Sequence, residues 1–264
     1  MKLEVQDKSK IDIFVAIFQL LKNCSSIVKL DFFKDKLYIQ GMDKSHVCLF
    51  NVHICKEWFQ SYLYDGNDCQ SIVADSSSLF TILSRSQENN TLVIYCDNDN
   101  TDTLNIDLLV NESSSKEKDK GEYNRYFQIP LVDNEQEMLE IPTIEYDAEF
   151  SLKSKQLFDL TGQLILFGDV LNIICSEEGI DLHTSGDHGK MKVAIPIDDL
   201  NEFSISEGET IDLSYSLTYI HKMCLTTKLS KDIDIGIRED YPISIKYNLG
   251  ENSYVLFFVA PKVN

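Results

Sequence analysis

Three side chains of the types found in hydrolase triads lie within one short stretch of this sequence. They are Asp43, Ser45 and His46, in "YIQGMDKSHVCLF", residues 38–50. A working triad needs serine bonded to histidine and histidine bonded to the acid, and such residues normally come from separated parts of a chain. The sequence also lacks a G-x-S-x-G turn that would expose a serine nucleophile. The spacing therefore favours an Asx-type turn, in which Asp43 accepts a hydrogen bond from the backbone near Ser45, and it predicts no catalytic residue.

The sequence gives little support to metal or disulfide chemistry. Its seven cysteines are scattered, odd in number and never spaced as C-x-x-C. The five histidines show no spacing typical of a metal site. We therefore expect reduced thiols that fill protein cores, no metal and no cofactor.

Composition restricts the class of protein further. The 264 residues, 43% of them hydrophobic and 10% aromatic, can form one large domain or two domains with proper cores. No apolar segment resembles a secretory signal, and none approaches the roughly 18 residues of a membrane helix. We expect a soluble, intracellular protein without a membrane partner. The net charge of −19 would by itself argue against a nucleic-acid-binding face, which should be basic.

The two halves of the chain repeat one pattern. The amphipathic segments "SKIDIFVAIFQLLKNC" and "KSKQLFDLTGQLILFGD" are each followed by strand-like runs, a second helix-like segment and more strands. The offset of roughly 140 residues indicates a duplicated α+β domain rather than a solenoid of short units. We predict domains at 1–130 and 147–264, joined by a connector at 131–146 in which Ile-Pro enforces extended backbone. The polar stretch "NESSSKEKDKGEYN" predicts an exposed loop before that connector.

Each predicted helix has a broad apolar stripe and a narrow face of short or polar side chains. In the first helix the stripe is Ile11, Phe14, Val15, Phe18 and Leu21, and the narrow face is Asp12, Ala16 and Gln19. The narrow faces of the other three helices are Ser77, Thr81, Ser84 and Arg85; Lys155, Asp159 and Gly162; and Thr218, His221 and Lys222. Most of each helix should therefore pack on a sheet and leave a small face for another partner.

Five motifs, in order, resemble the proliferating cell nuclear antigen (PCNA) family of eukaryotic-type DNA sliding clamps. They are "LYIQGMDKSHVCLF", "EIPTIEY", "DLTGQLILFGD", "SGDHG" and the ending "FFVAPKVN". The resemblance implies duplicated clamp domains in a homotrimeric ring, with helices lining the inside and sheets forming the outside. It also implies a non-enzymatic processivity factor that encircles duplex DNA and serves DNA polymerase, a clamp loader and other replication and repair proteins. The implied location is the nucleus, or the replication site of a virus.

The resemblance also implies three sets of site residues. An apolar groove for a Gln-aliphatic-aromatic docking peptide would comprise Met42, His46, Val47, Leu49, Leu139, Ile141, Pro142, Pro242, Phe258, Ala260, Pro261 and Val263. The DNA channel would comprise Lys8, Lys10, Lys22, Arg85, Lys155, His221, Lys222 and Lys228. The subunit interface would comprise Arg125, Tyr126, Phe127, Lys190, Lys192 and Val193. For the apolar groove residues, burial in an ordinary core is the competing interpretation.

The channel departs from the family pattern. Where relatives have Lys or Arg, this chain has Asp12, Gln19, Thr81, Ser84, Asp159, Gly162 and Thr218. Each lost phosphate contact weakens DNA binding and flattens its salt dependence, so unassisted DNA affinity should be poor. An alternative therefore stays open: a clamp-fold subunit of a heteromeric checkpoint-type or viral factor that does not itself encircle DNA.

Overall fold

The structure is a computed structural model that describes residues 1–64, 66, 68–96, 102–111, 123–133 and 138–262. Within this part of the chain the helices are α1 (Lys8–Cys24), α2 (Ser76–Leu83), α3 (Ser154–Leu164) and α4 (Leu217–Met223). The first nine strands are β1 (Lys2–Val5), β2 (Ile27–Phe32), β3 (Lys36–Met42), β4 (Cys48–Cys55), β5 (Ser61–Leu63), β6 (Gln70–Asp75), β7 (Asn90–Tyr95), β8 (Thr103–Val110) and β9 (Arg125–Pro130). The remaining strands are β10 (Ala148–Lys153), β11 (Val170–Ser176), β12 (Gly179–Gly186), β13 (Gly189–Pro196), β14 (Glu202–Ile205), β15 (Ile211–Ser216), β16 (Asp232–Ile237), β17 (Ile243–Gly250) and β18 (Ser253–Val259).

Two short 3-10 helices, Lys56–Trp58 and Ile197–Asp199, complete the regular structure of the described residues. None of the helices described is long and apolar enough to cross a membrane. The predicted exposed loop falls mostly on 112–122, and part of the predicted connector falls on 134–137, both of which lie outside the described residues.

The chain forms two compact units, and neither is continuous in sequence. Unit 1 contains Met1–Gly41, Asn51–Met138 and Leu249–Tyr254. Unit 2 contains Met42–Phe50, Leu139–Asn248 and Val255–Asn264. The domain boundaries derived from the sequence stay a prediction.

Unit 1 packs α1 and α2 beside each other with antiparallel sheets. One sheet has the strand order β5-β1-β7-β8-β9, and β2 pairs with both β3 and β6 in another. The core includes Phe14 and Phe18 of α1, whose ring centroids lie 5.1 Å apart, and the fully buried Trp58. These aromatic side chains bury large apolar areas, which is the dominant favourable contribution to folding.

Unit 2 repeats this arrangement with α3 and α4. Its strands follow the orders β14-β10-β16-β17-β18 and β13-β12-β11-β15. Leu157 and Leu164 of α3 and Ile220 of α4 are buried, because these positions recur at the helical period and face the core. This is the duplicated α+β architecture that the sequence predicts.

A serine begins one helix of each unit in the same way. The Ser76 hydroxyl donates to the carbonyl oxygen of Ser25 (2.6 Å), just beyond the end of α1. In unit 2 the Ser154 hydroxyl donates to the carbonyl oxygen of Ser230 (2.7 Å), beyond the end of α4. The duplication therefore extends to the polar contacts that fix where helices begin.

One expectation about α1 is wrong. The helical period places Ala16 on the narrow face, but only 1% of its surface is exposed, whereas Val15 of the apolar stripe is half-buried. The reason is that α1 lies beside α2 in unit 1, so this helix is covered on more than its sheet side.

Candidate functional site

The "MDKSHV" turn is organised by one carboxylate. Asp43 Oδ1 accepts hydrogen bonds from the backbone N–H groups of Val47 (2.7 Å) and Cys48 (2.6 Å). Asp43 Oδ2 accepts from the backbone N–H of Ser45 (3.0 Å) and from the hydroxyl of Tyr219 in α4 (2.7 Å). The bond from Ser45 confirms the predicted Asx-type turn. Three of the four donors are backbone N–H groups of the turn, the fourth is the Tyr219 hydroxyl, and none is a histidine ring, so Asp43 is not placed as the acid of a triad.

The pKa of Asp43 reflects these four bonds. Burial acts to raise it, but the hydrogen bonds from Cys48, Tyr219, Ser45 and Val47 favour the charged form and together lower it below the usual aspartate value. The side chain is 7% exposed. Asp43 is therefore a buried, ionised acceptor that holds the turn in one conformation.

The turn forms one wall of a groove of about 330 Å³ within unit 2. Its lining includes the following residues of the predicted groove: Met42, His46, Val47, Leu49, Ile141, Pro142, Pro242, Phe258 and Ala260. It also includes Glu140, Ile144 and Tyr241, which the sequence reasoning missed. The lining is mostly apolar and contains one carboxylate, so it is suited to binding an apolar segment rather than to catalysis.

The missed residues had a signal in the sequence. The Ile-Pro dipeptide favours extended backbone at the connector, and Glu140 and Ile144 lie on either side of the predicted Ile141 and Pro142. Tyr241 directly precedes the predicted Pro242, and its ring centroid lies 5.0 Å from the Arg238 guanidinium.

Three predicted groove residues are not among the lining residues. Leu139 is 44% exposed outside the cavity. Pro261 forms an antiparallel β-bridge with Tyr215 of β15. The next residue, Lys262, donates its backbone N–H to the carbonyl oxygen of Ser214 on the same strand (2.7 Å), so this part of the tail lies against β15. Val263 lies outside the described residues.

A backbone hydrogen bond joins the tail to the turn at the groove. The N–H of Ala260 donates to the carbonyl oxygen of Val47 (2.9 Å). Turn and tail are thereby fixed to each other at the groove, and both line it.

The lysines predicted for the channel are largely engaged by their own unit. Lys8 pairs with Asp12 on α1, and Lys155 Nζ lies 2.7 Å from Asp159 Oδ2 on α3. Both pairs span one helical turn. Each places a carboxylate beside a cation that the prediction assigns to DNA.

Two more lysines of α1 lie against aromatic rings of unit 1. Lys10 Nζ donates to the carbonyl oxygen of Trp58 (2.7 Å), and Lys22 Nζ lies 3.9 Å from the centroid of the Phe80 ring. Arg85 and Lys228 are exposed.

His221 of α4 is held in a half-buried position. Its ring stacks on Phe158 (centroids 5.6 Å apart), and its Nδ1 lies 3.0 Å from Thr161 Oγ1. Thr161 Oγ1 lies 2.8 Å from the carbonyl of Leu157 and donates to it. Burial lowers the pKa of His221, so the ring is neutral near pH 7.

The neighbouring Lys222 also lies near an aromatic side chain: its Nζ is 5.5 Å from the centroid of the Tyr219 ring.

Comparison with known proteins shows similarity along nearly the whole chain. Residues 3–137 match the family described as Proliferating cell nuclear antigen, N-terminal domain, and residues 140–262 match Proliferating cell nuclear antigen, C-terminal domain. The chain belongs to the PCNA family. The family resemblance drawn from the five motifs is therefore confirmed.

Relatives of similar length support the assignment to the PCNA family. Over 258 residues the chain is 30% identical to Proliferating cell nuclear antigen 2 of Plasmodium falciparum (isolate 3D7), with 95% of each chain covered. Over 253 residues it is 29% identical to Proliferating cell nuclear antigen of Chaetomium thermophilum (strain DSM 1495), with 94% of this chain and 92% of that protein covered. PCNA-family proteins are non-enzymatic clamps related to DNA replication and are typically nuclear.

The strands that carry the predicted PCNA-type interface are at sheet edges. β9 is the last strand beyond β8, and β13 is the last strand beyond β12. Tyr126 on β9 is 67% exposed. Arg125 is instead held by its own unit, since its Nη2 donates to Gln87 Oε1 (3.1 Å) and Asn90 Oδ1 (3.0 Å).

On β13, one predicted interface residue is also paired within its unit. Lys192 Nζ lies 2.7 Å from Asp181 Oδ2 on β12. Lys190 is exposed, and Phe127 of β9 and Val193 of β13 are half-buried. An edge strand leaves one row of backbone groups available for a further strand.

The cysteines are free thiols in this structure, and Cys24, Cys48, Cys175 and Cys224 are buried. The expectation that all of them fill cores is wrong, because Cys55 and Cys96 are half-buried and Cys69 is exposed. Burial raises the pKa of Cys175 and Cys224 to about 12, which keeps both thiols protonated. Among the described residues there is no group of metal-ligating side chains that could hold an ion.

Proposed function

We propose that this chain is a DNA sliding clamp that closes into a homotrimeric ring around duplex DNA and acts as a processivity factor for DNA polymerase. It binds polymerase, clamp loader and repair proteins through a Gln-aliphatic-aromatic peptide in the groove. Its place of action is the nucleus, or the replication site of a virus. Membership of a family of replication-related clamps supports this proposal.

The groove is the single observation that carries the proposal. The groove is lined by four segments that are distant from one another in the chain. They are the turn at 42–49, the connector at 140–144, the Tyr241–Pro242 pair and the tail at 258–260. An apolar side chain of a client would fill the floor, and the client backbone would bond to main-chain groups at the rim.

A peptide-binding measurement tests the groove. A synthetic Gln-aliphatic-aromatic peptide should bind, and Leu49→Asp should weaken it roughly tenfold or more because a charge would enter the apolar lining. Leu63→Asp is the matched control, because Leu63 is 58% exposed on β5 and outside the groove. Equal binding by both variants, or no binding by the wild type, would contradict the docking role.

Ring closure is proposed from the two edge strands. If β9 of one copy pairs with β13 of the next, each copy uses one self-complementary pair of edges and closure leaves neither edge open. Light scattering across a dilution series should give a mass close to three times 30.2 kDa. A monomer at every concentration would reject the homotrimer.

The paired lysines favour a second candidate function. Lys8 and Lys155 are engaged by Asp12 and Asp159, so two of the eight side chains assigned to the channel are offset by carboxylates and fewer cations are available for phosphate contacts. A subunit of a heteromeric checkpoint-type or viral factor that does not encircle DNA needs no such contacts. A monomer that binds the docking peptide would favour this alternative.

A further inference from the structure

Tyr219 reaches the docking groove without lining it. It lies on α4, and its hydroxyl is the only side-chain donor, in the part of the chain that the structure describes, among the four hydrogen bonds to Asp43. We propose that Tyr219 is a positioning residue for client binding, which acts through Asp43 to hold the 43–48 turn in the form that accepts a docking peptide. This inference rests on the proposed docking function.

The contact from Tyr219 leads to the groove in two steps. The hydroxyl fixes Asp43 Oδ2, and the other oxygen of the same carboxylate receives the backbone N–H groups of Val47 and Cys48. The carbonyl of Val47 in turn accepts the N–H of Ala260. Val47 and Ala260 both line the groove, so the carboxylate that orients the turn also affects the contact between turn and tail.

Loss of the hydroxyl would release the carboxylate rather than unfold the turn. The three backbone donors would remain, but Oδ2 would retain only the N–H of Ser45 at 3.0 Å, the longest of the four bonds. A second contact between α4 and the turn, Cys48 Sγ to Met223 Sδ at 3.8 Å, would also remain. The expected effect is therefore a looser turn in a folded protein.

The test compares two tyrosine-to-phenylalanine variants in the full chain. Tyr219→Phe removes the bond to Asp43. Tyr247→Phe is the matched control, because the Tyr247 hydroxyl donates to the carbonyl of Met223 (3.0 Å), at the end of the same helix, rather than to Asp43. Tyr247 is more deeply buried, so the control should lose at least as much stability.

Binding of a synthetic Gln-aliphatic-aromatic peptide is measured at fixed salt by fluorescence anisotropy. Tyr219→Phe should weaken it about three- to tenfold, while Tyr247→Phe should change it by less than about twofold. In an Asp43→Ala background, Tyr219→Phe should have a much smaller effect, because the shared acceptor is gone and only the hydrogen bond between the hydroxyl and the Ser45 side chain is lost.

Readouts on the free protein separate positioning from general destabilisation. In Tyr219→Phe, amide exchange at Ser45, Val47 and Cys48 should accelerate, and the carboxyl pKa of Asp43, followed by NMR, should rise toward its usual value. Neither should change in Tyr247→Phe.

The outcomes divide clearly. If the wild type binds the peptide and Tyr219→Phe binds it with the same affinity, this inference is overturned and the docking function stands. Equal losses in the two phenylalanine variants would also overturn it, since the effect would then follow stability. No binding by the wild type would overturn the docking function and this inference with it.

Discussion

At the scale of single residues, Asp43 shows why a triad-like set of residues can be purely structural. Its two oxygens already accept four hydrogen bonds from the turn and α4. None of these four donors is a histidine ring, and His46 instead lines the groove. The residue types suggested catalysis, but the direction of the hydrogen bonds decides the role.

Asp43→Asn should destabilise unit 2 by about 2 kcal/mol at pH 7, because an amide N–H₂ would face donors that now meet a carboxylate oxygen. The lowered pKa of Asp43 means that its contribution is fully present above the usual aspartate pKa of about 4 and is lost as the pH falls through the lowered value. Urea unfolding at pH 7 and at about pH 3 measures both effects, and the difference between variant and wild type should shrink in acid.

Asp75→Asn is the control for that change. Asp75 caps α2 by accepting the Ser78 N–H (2.7 Å), and asparagine caps helices about as well as aspartate. The substitution should cost only a few tenths of a kcal/mol. Similar costs at both positions would show that the Asp43 carboxylate has no special role.

His221 gives a second prediction at this scale. Burial lowers its pKa, so the NMR titration of its ring should have a midpoint below about 6.5. The stability that the neutral ring contributes is present above that pH and is lost as the pH falls through the lower folded value. Phe158→Ala removes the stacked ring and should move the midpoint upward. An unchanged midpoint would show that Phe158 does not bury this imidazole.

At the scale of elements, α1 and α3 each carry a lysine paired with an aspartate one turn later. Such pairs add only about 0.3–0.5 kcal/mol to a helix. Their larger consequence is electrostatic, because each carboxylate cancels a cation that could meet a phosphate.

The Asp12→Asn, Asp159→Asn double variant should therefore bind linear duplex DNA more tightly. The slope of log K against log salt should steepen by up to about 0.9 for each lysine that gains a phosphate contact. The control is the double variant Asp187→Asn, Asp198→Asn. It changes the net charge equally, at exposed positions outside the four α-helices. Identical slopes in the two double variants would mean that these lysines do not face DNA.

The elements also show how far sequence reasoning extends. Periodicity predicted the four helices, because a helical stripe depends on residues close together in the chain. The groove residues come from distant segments, and their assignment rested on the family resemblance rather than on local spacing. Partners from distant segments were not predictable: the Tyr219 hydroxyl that meets Asp43, the Trp58 carbonyl that binds Lys10, and Tyr241 in the groove. Ala16 was misplaced for the same reason, since its burial depends on a second helix that no local period reveals.

At the scale of the whole molecule, the proposed ring depends on what the edge of β9 exposes. Tyr126→Glu should give a monomer in light scattering, because a charge on an edge strand opposes pairing with another strand. Tyr123→Glu is the matched control: Tyr123 is 72% exposed, just before β9, and its substitution should leave the mass unchanged. A full-size assembly for Tyr126→Glu would exclude β9 as the contact.

The discontinuous path of the chain bears on how the protein can be divided for experiments. A gene fragment encoding residues 139–264 lacks Met42–Phe50, which belongs to the same compact unit. The product would have no acceptor for the Tyr219 hydroxyl and no Val47 carbonyl for Ala260. Truncation at the connector should therefore yield a chain that neither completes its fold nor captures a client, however well each half aligns with its relatives.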